Sequence, residues 1–248
     1  MISDGMAGVL RSLRLGVAEH LARDAVGVLD AAGLTVSLLV GDDRAAEPLW
    51  CHPAFGARVE ELQFTLGEGP GPDVLRLGAP VVEPDLSAVR AERWPAFLPA
   101  ARALELGGIY CLPLGIGAIR LGVLTVLCRG PHGLTPQQYE DAAALASALT
   151  SAFLNGARGP SPNGGGHDAA TATLVGQPRE LSRAVVHQAT GMISVQLGVP
   201  LAEALVRLRA YAYASERPLG AVAEDVVARR LRFRDDMDGP HPTDGGKR

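Results

Sequence analysis

Aromatic side chains make up only 4% of this 248-residue chain, and cysteine occurs three times. Cys51, Cys111 and Cys128 have no CxxC spacing and are odd in number, which argues against both a disulfide framework and a zinc site. They read as small buried hydrophobes in a reducing compartment. No stretch reaches the apolar run of about 18 residues that crosses a bilayer, and the opening MISDGMAGVLRSL has no basic region followed by an apolar core. A cytoplasmic protein without a membrane partner is expected. His20, His52, His132 and His167 are scattered, offering neither a ligand cage nor a triad. No nucleophile, base and orienting group can be matched, so no catalytic residue, metal or cofactor is expected and the chain reads as a non-enzyme.

Charge is present but unevenly placed. Residues 179–234 hold nine arginines against five acids, a net charge of +4, whereas residues 1–178 carry a net −6 and the tail a net −2. A basic segment on an acidic chain points to a polyanion as the partner of that segment alone. Arginine is strongly preferred to lysine there, and a planar guanidinium can bind phosphate through two bonds and stack on an unpaired base.

The same segment shows three apolar stripes at helical period: Val185, Ala189 and Met192 with Leu181; then Leu201, Leu205, Leu208 and Ala212; then Leu219, Val222, Ala223, Val226 and Val227. Gly198 suits the positive φ that ends a helix, and Pro200 and Pro218 suit helix starts. Three helices of about four turns are expected. A bundle this small has little core and gains from a partner surface, so a homodimer is expected. Gly191 inside the first helix costs about 1 kcal/mol relative to alanine, which calls for a close approach by a ligand or by a neighbouring helix. Of Tyr211 and Tyr213, the first is expected in the core and the second at the surface.

Upstream, Leu10, Leu13, Val17, Leu21, Ala25 and Val28 predict one amphipathic helix over residues 5–31, ended by Gly33. Strands are expected at 35–40 and near 49–51 around the turn Gly41-Asp42-Asp43, then a helix over 57–63. The run LeuGlyGluGlyProGlyPro (66–72) reads as a fixed loop from which a helix over 73–77 starts. A strand ProValValGluPro, a helix carrying residues 94–106, strong strands at 109–114 and 121–128, and a closing helix over 135–154 capped by Thr135 complete an α+β sheet domain. A pocket between sheet and helices, lined by Trp50, Phe64, Trp94 and Phe97, would take an unidentified small molecule. Residues 157–173, rich in Gly, Pro, Ser and Asn, read as a flexible linker, and 235–248 as a disordered tail.

Gln188 to Ile193 (QATGMI), followed by Glu203-Ala204, Leu208-Arg209, Ala212, Leu219 and Val222-Ala223, resembles the ANTAR domain, an RNA-binding antitermination module of bacterial regulators. By that resemblance, residues 174–234 would bind stem-loops in nascent transcripts through Arg183, Gln188, Thr190, Gly191, Arg209 and Arg217. The family pattern usually has Ala-Lys-Gly where this chain has Ala189-Thr190-Gly191. GEGP at 67–70, ValValGluProAspLeu, ArgTrpProAlaPhe at 93–97, CysLeuProLeu at 111–114 and LeuGlyValLeuThrValLeu at 121–127 together resemble a GAF domain of the actinobacterial type joined to ANTAR modules. Residues 1–156 would then form a sensor and dimerisation domain: an antiparallel sheet flanked by helices ahead of an all-α three-helix module. Related domains commonly have a cysteine after GEGP; Gly71 stands here. The implied whole is a signal-responsive transcription antitermination regulator. Two other readings of the basic helices remain open, a DNA-binding domain and a protein-assembly bundle that has lost RNA binding.

Overall fold

The computed structural model describes residues 1–15, 20–40, 45–130, 133–156, 183–234 and 241–242. The chain divides into two compact units, Met1–Phe64 with Glu68–Pro178, and Thr65–Gly67 with Arg179–Arg248. The anticipated turn at 41–43, Val17, Leu181, the linker and most of the tail lie outside the described residues.

The N-terminal unit opens with two helices, α1 (Asp4–Arg14) and α2 (Leu21–Val28), instead of the single helix expected over 5–31. Each keeps its own buried stripe, Met6, Val9, Leu10 and Leu13 in the first, Leu21 and Ala25 in the second. The positive φ after α2 is taken by Asp30, at 47°, and not by Gly33. Gly33 instead begins β1 (Gly33–Val40), where a Cβ would stand 3.2 Å from the His52 carbonyl oxygen of β2 (Ala45–His52). The Ser3 hydroxyl accepts from the Met6 N–H and donates to Asp141, which also accepts from the Ser3 N–H. Asp141 is fully buried, so a local cap also ties the two ends of this unit together.

Next come α3 (Ala54–Leu66), α4 (Pro70–Leu77), β3 (Val81–Glu83), a 3₁₀ turn at Ala91–Arg93, α5 (Phe97–Ala103), β4 (Gly108–Ile116), β5 (Ile119–Cys128) and α6 (Pro136–Gly156). Thr135 caps α6 as expected, with reciprocal bonds to Gln138 of 3.2 and 2.8 Å. The sheet is fully antiparallel in the order β2-β1-β5-β4-β3. Its pairing of β1 with β2 shifts register beside Pro48, which lacks the N–H a ladder needs and sits on an edge strand. Gly122 of β5 lies where a Cβ would meet the Ser37 carbonyl oxygen at 1.9 Å, so the β1–β5 pairing admits no side chain there.

Strand alternation gives the sheet two different faces. Leu34, Val36, Leu112, Leu124 and Val126 point into a cluster with α1, α2 and α6, the last contributing Leu145 and Leu149. The opposite face carries Thr35, Ser37 and Thr125, all at most 2% exposed. Thr35 Oγ1 and Ser37 Oγ donate to the two oxygens of Glu60 on α3, at 2.5 and 2.9 Å, and Cys111 Sγ lies 3.5 Å from Thr125 Oγ1. A buried carboxylate is tolerated because both its oxygens are bonded.

The GEGP loop is shorter than expected, because α3 runs to Leu66 and α4 starts at Pro70 and not at residue 73. Gly69, at φ 126°, precedes the proline, and the Gly71 N–H donates to the buried Gln63 Oε1 at 2.7 Å. Glu68 reaches across to accept the backbone N–H groups of Ala96 and Phe97, each at 2.6 Å, at the start of α5. The helix expected over 94–106 is accordingly confined to α5: Trp94 sits at φ −143°, outside helical geometry, and Pro95 follows it.

Among the described residues the C-terminal unit has three helices, α7 (Ala184–Leu197), α8 (Leu201–Ala214) and α9 (Leu219–Val227). Gly198, at φ 65°, ends α7, and Pro200 and Pro218 stand just ahead of the next two. The buried face of α7 is Val186, Ala189, Thr190, Ile193 and Leu197, one position round from the stripe built on Val185 and Met192. Likewise Leu201 is exposed, and α8 buries Ala204, Leu208 and Ala212. Leu231 and Phe233 close this core, with the Phe233 ring edge-on to Tyr211 at 5.8 Å and its N–H bonded to Gln196 Oε1. The unit is not purely helical: β6 (Leu231–Arg232) pairs with β7 (His241–Pro242), and β7 falls inside the tail expected to be disordered.

Candidate RNA interface

The six expected contact residues do not share one surface. On α7, Gln188 is exposed and Gly191 half-buried, one turn apart on the same face. An added Cβ at Gly191 meets nothing within 4 Å, so neighbouring helix packing does not account for the glycine and the space over it is open. Arg183 and Thr190 fall on the other side. Each is 3% exposed, and both lie on the helical period of Val186, Ile193 and Leu197. Thr190 Oγ1 donates to the Val186 carbonyl oxygen at 2.7 Å, a bond within the helix that satisfies the buried hydroxyl. Both are therefore corrected as direct contacts: a guanidinium or hydroxyl held out of solvent does not meet a phosphate.

Arg209 is half-buried on α8, and Arg217 is exposed in the α8–α9 connection. Tyr213 stands 70% exposed while Tyr211 packs inward, as the two-residue spacing implied. Arg217 Nη2 donates to Asp225 Oδ2 at 2.6 Å and Arg230 Nε to Asp225 Oδ1 at 2.7 Å. The bonds from Arg217 and Arg230 hold the Asp225 carboxyl below its usual range, and the Asp225 bond raises the Arg217 guanidinium above its own. Sequence reasoning passed over Asp225 and Arg230; the doubled arginine after the third helix was the available signal.

Trp50 does not share a face of the sheet with the buried pair Trp94 and Phe97, so the four aromatic residues do not line one pocket. Trp50 pairs with Val36 across β1–β2 and packs on the α1/α2/α6 side, whereas Trp94 and Phe97 lie buried outside that cluster, edge-to-face at 5.9 Å. None of the four lines either of two cavities in this unit. One, of about 270 Å³, lies between β4 and α6 beside Leu112, Tyr139 and Thr150; the other, of about 240 Å³, is bordered by Val74, Leu77, Ile119 and Arg120. Burial pushes the Cys111 thiol far above its ordinary range and Cys128 up to about 11, so neither is a ready nucleophile. Among the described residues, no group of three His, Cys, Asp or Glu side chains is placed to hold a metal, and no single helix is long and apolar enough to cross a membrane.

The class of this unit is a small three-helix module with buried apolar stripes, an open glycine and exposed arginines. Residues 179–227 match the ANTAR domain, and the C-terminal unit carries that domain, a module of the RNA-binding antitermination regulators. Solved structures similar to this chain over its N-terminal part include two GAF domains of phosphoenolpyruvate-protein phosphotransferases. The one from Acinetobacter is 15% identical, spans 64% of this chain and 96% of its own, and has a TM-score of 0.49. The one from Coxiella burnetii is 15% identical over 63% of this chain and 98% of its own, with a TM-score of 0.42. The chain matches no curated protein.

Proposed function

We propose that this chain is a signal-responsive transcription antitermination regulator whose C-terminal unit binds stem-loops in nascent RNA. The observation that carries the reading is the ANTAR match over 179–227, on a folded unit that leaves Gln188 and Gly191 open on one face and Arg217 exposed. Arginine supplies phosphate contacts and the bare backbone at Gly191 admits a base or sugar at close range. The N-terminal unit serves as a GAF-like sensor and dimerisation domain in the cytoplasm, acting through binding and without chemistry. The raised thiols of Cys111 and Cys128 fit a non-catalytic role.

The test is titration of the full chain with tandem stem-loop RNA and a length-matched DNA duplex at two salt concentrations. Preference for the hairpins, weakening with salt, supports the reading. Preference for duplex would replace it with a DNA-binding regulator, and binding to neither with an assembly module. Light scattering of the same preparation checks the homodimer.

A further inference from the structure

We propose that Arg217 and Arg230, held by Asp225, form a seat for one backbone phosphate of the bound RNA; this rests on the RNA-binding reading above. Two helix ends of the same design deliver these side chains. After α8, Glu216 takes φ 53° and the Arg217 N–H donates to the Ala212 carbonyl oxygen at 3.0 Å. After α9, Arg229 takes φ 60° and the Arg230 N–H donates to the Asp225 carbonyl oxygen at 2.8 Å. Both are left-handed caps of the kind glycine usually occupies, here filled by non-glycine residues. In each, the arginine is the residue that follows the left-handed position.

The consequence is convergence. The two guanidinium groups meet one carboxylate, one on each oxygen, at 2.6 and 2.7 Å. Bonded to the two oxygens of one carboxylate, the two guanidinium groups are neighbours on the surface of the module, with Tyr211 a further hydrogen-bond partner of Arg217. The Arg217 and Arg230 side chains are 40% and 63% exposed, whereas Asp225 is 20% exposed, so the cations face outward and the carboxylate lies beneath them. The cluster carries one net positive charge. Its fixed forks suit a phosphate, which accepts paired N–H groups, and arginines already oriented lose less freedom on binding than mobile ones. Asp225 is a positioning residue here, acting through the arginines.

The experiment titrates the full chain with tandem stem-loop RNA over a range of salt for the wild type, Arg217→Ala, Arg230→Ala, the double variant, Arg230→Lys and Asp225→Asn. Each alanine variant is expected to weaken binding and flatten the salt slope by about 0.7 to 1. The double variant loses less than the sum of the two, because both arginines serve one phosphate. Arg230→Lys keeps the slope and recovers part of the affinity, and it reports the fork geometry even if Arg230→Ala disturbs folding. Asp225→Asn binds more weakly although a negative charge has gone. Unchanged affinity and slope in both Arg230 variants, or strictly additive losses, would overturn the shared seat while leaving RNA binding intact; tighter binding by Asp225→Asn would overturn the positioning role. Failure of the wild type to bind hairpins is a different result, which removes the reading beneath the proposal.

Discussion

The two units handle polar groups in opposite ways. The N-terminal unit turns them inward: Glu60 sits under the sheet with a hydroxyl on each oxygen, Gln63 receives the Gly71 N–H, and Asp141 gathers the start of α1. The C-terminal unit has a small, mainly apolar core that also takes in Arg183 and Thr190, and it turns most of its charge outward, with Arg217, Arg230 and Asp225 linked on the surface. Buried polar groups matched one to one make a unit specific in shape, at a high cost for any loss. Surface arginines contribute little to stability and are available to a partner. The net charges of the two segments follow the same division of labour, sheet unit acidic and helical unit basic.

The contrast can be broken most severely from within the sheet. Leu124→Ala empties a fully buried position between β5 and the helices and is expected to cost about 2–5 kcal/mol in denaturant unfolding, with thermal melting as a second measure. Glu60→Ala strands the hydroxyls of Thr35 and Ser37 and should cost about 2–3 kcal/mol, whereas Glu60→Gln, which the rotatable hydroxyls can still meet, should cost about 1 kcal/mol. Equal losses for the two would mean that the filled space, which glutamine keeps, is not what matters, and that the bonds to both carboxylate oxygens are.

In the helical unit, Thr190→Lys supplies the residue usual in the ANTAR pattern, yet at a position 3% exposed. A loss of about 1–2 kcal/mol is expected, since the ammonium must leave the core or lose its water. Calorimetry reads the loss, and a rise in RNA affinity without it would contradict the burial. Gly191→Ala runs the other way: with nothing near the new Cβ the helix should gain up to about 1 kcal/mol, while hairpin affinity falls because the open backbone is covered. The smallest effect is in acid. Asp225 has a depressed pKa, so its contribution to stability is present above the ordinary carboxylate range and is lost as pH falls through the lowered value. Melting of the wild type and Asp225→Asn should differ little at neutral pH and converge below that point.

Much of this was written locally. Period and punctuation marked the three C-terminal helices, and alternating apolar runs marked β1, β4 and β5. The motif at 188–193 pointed to the module, and Gly191 to a close approach by a ligand or a neighbouring helix, of which the open space over it excludes the helix. The site itself was only half legible. Helix α7 is apolar on more than one side, so Val185 and Val186 were equally good candidates for the core, and choosing the wrong one placed Arg183 and Thr190 on the surface.

What the sequence by itself determined is most of the elements and the kind of module, because helix period, glycine and proline act over a few residues. Tertiary structure alone decided which face of α7 is buried, that Glu68 caps α5 far along the chain, that Glu60 lies beneath Thr35 and Ser37, and that Arg217 and Arg230 meet on Asp225. Such pairings join residues whose separation along the chain carries no period, so they exist only once packing has brought their backbones together.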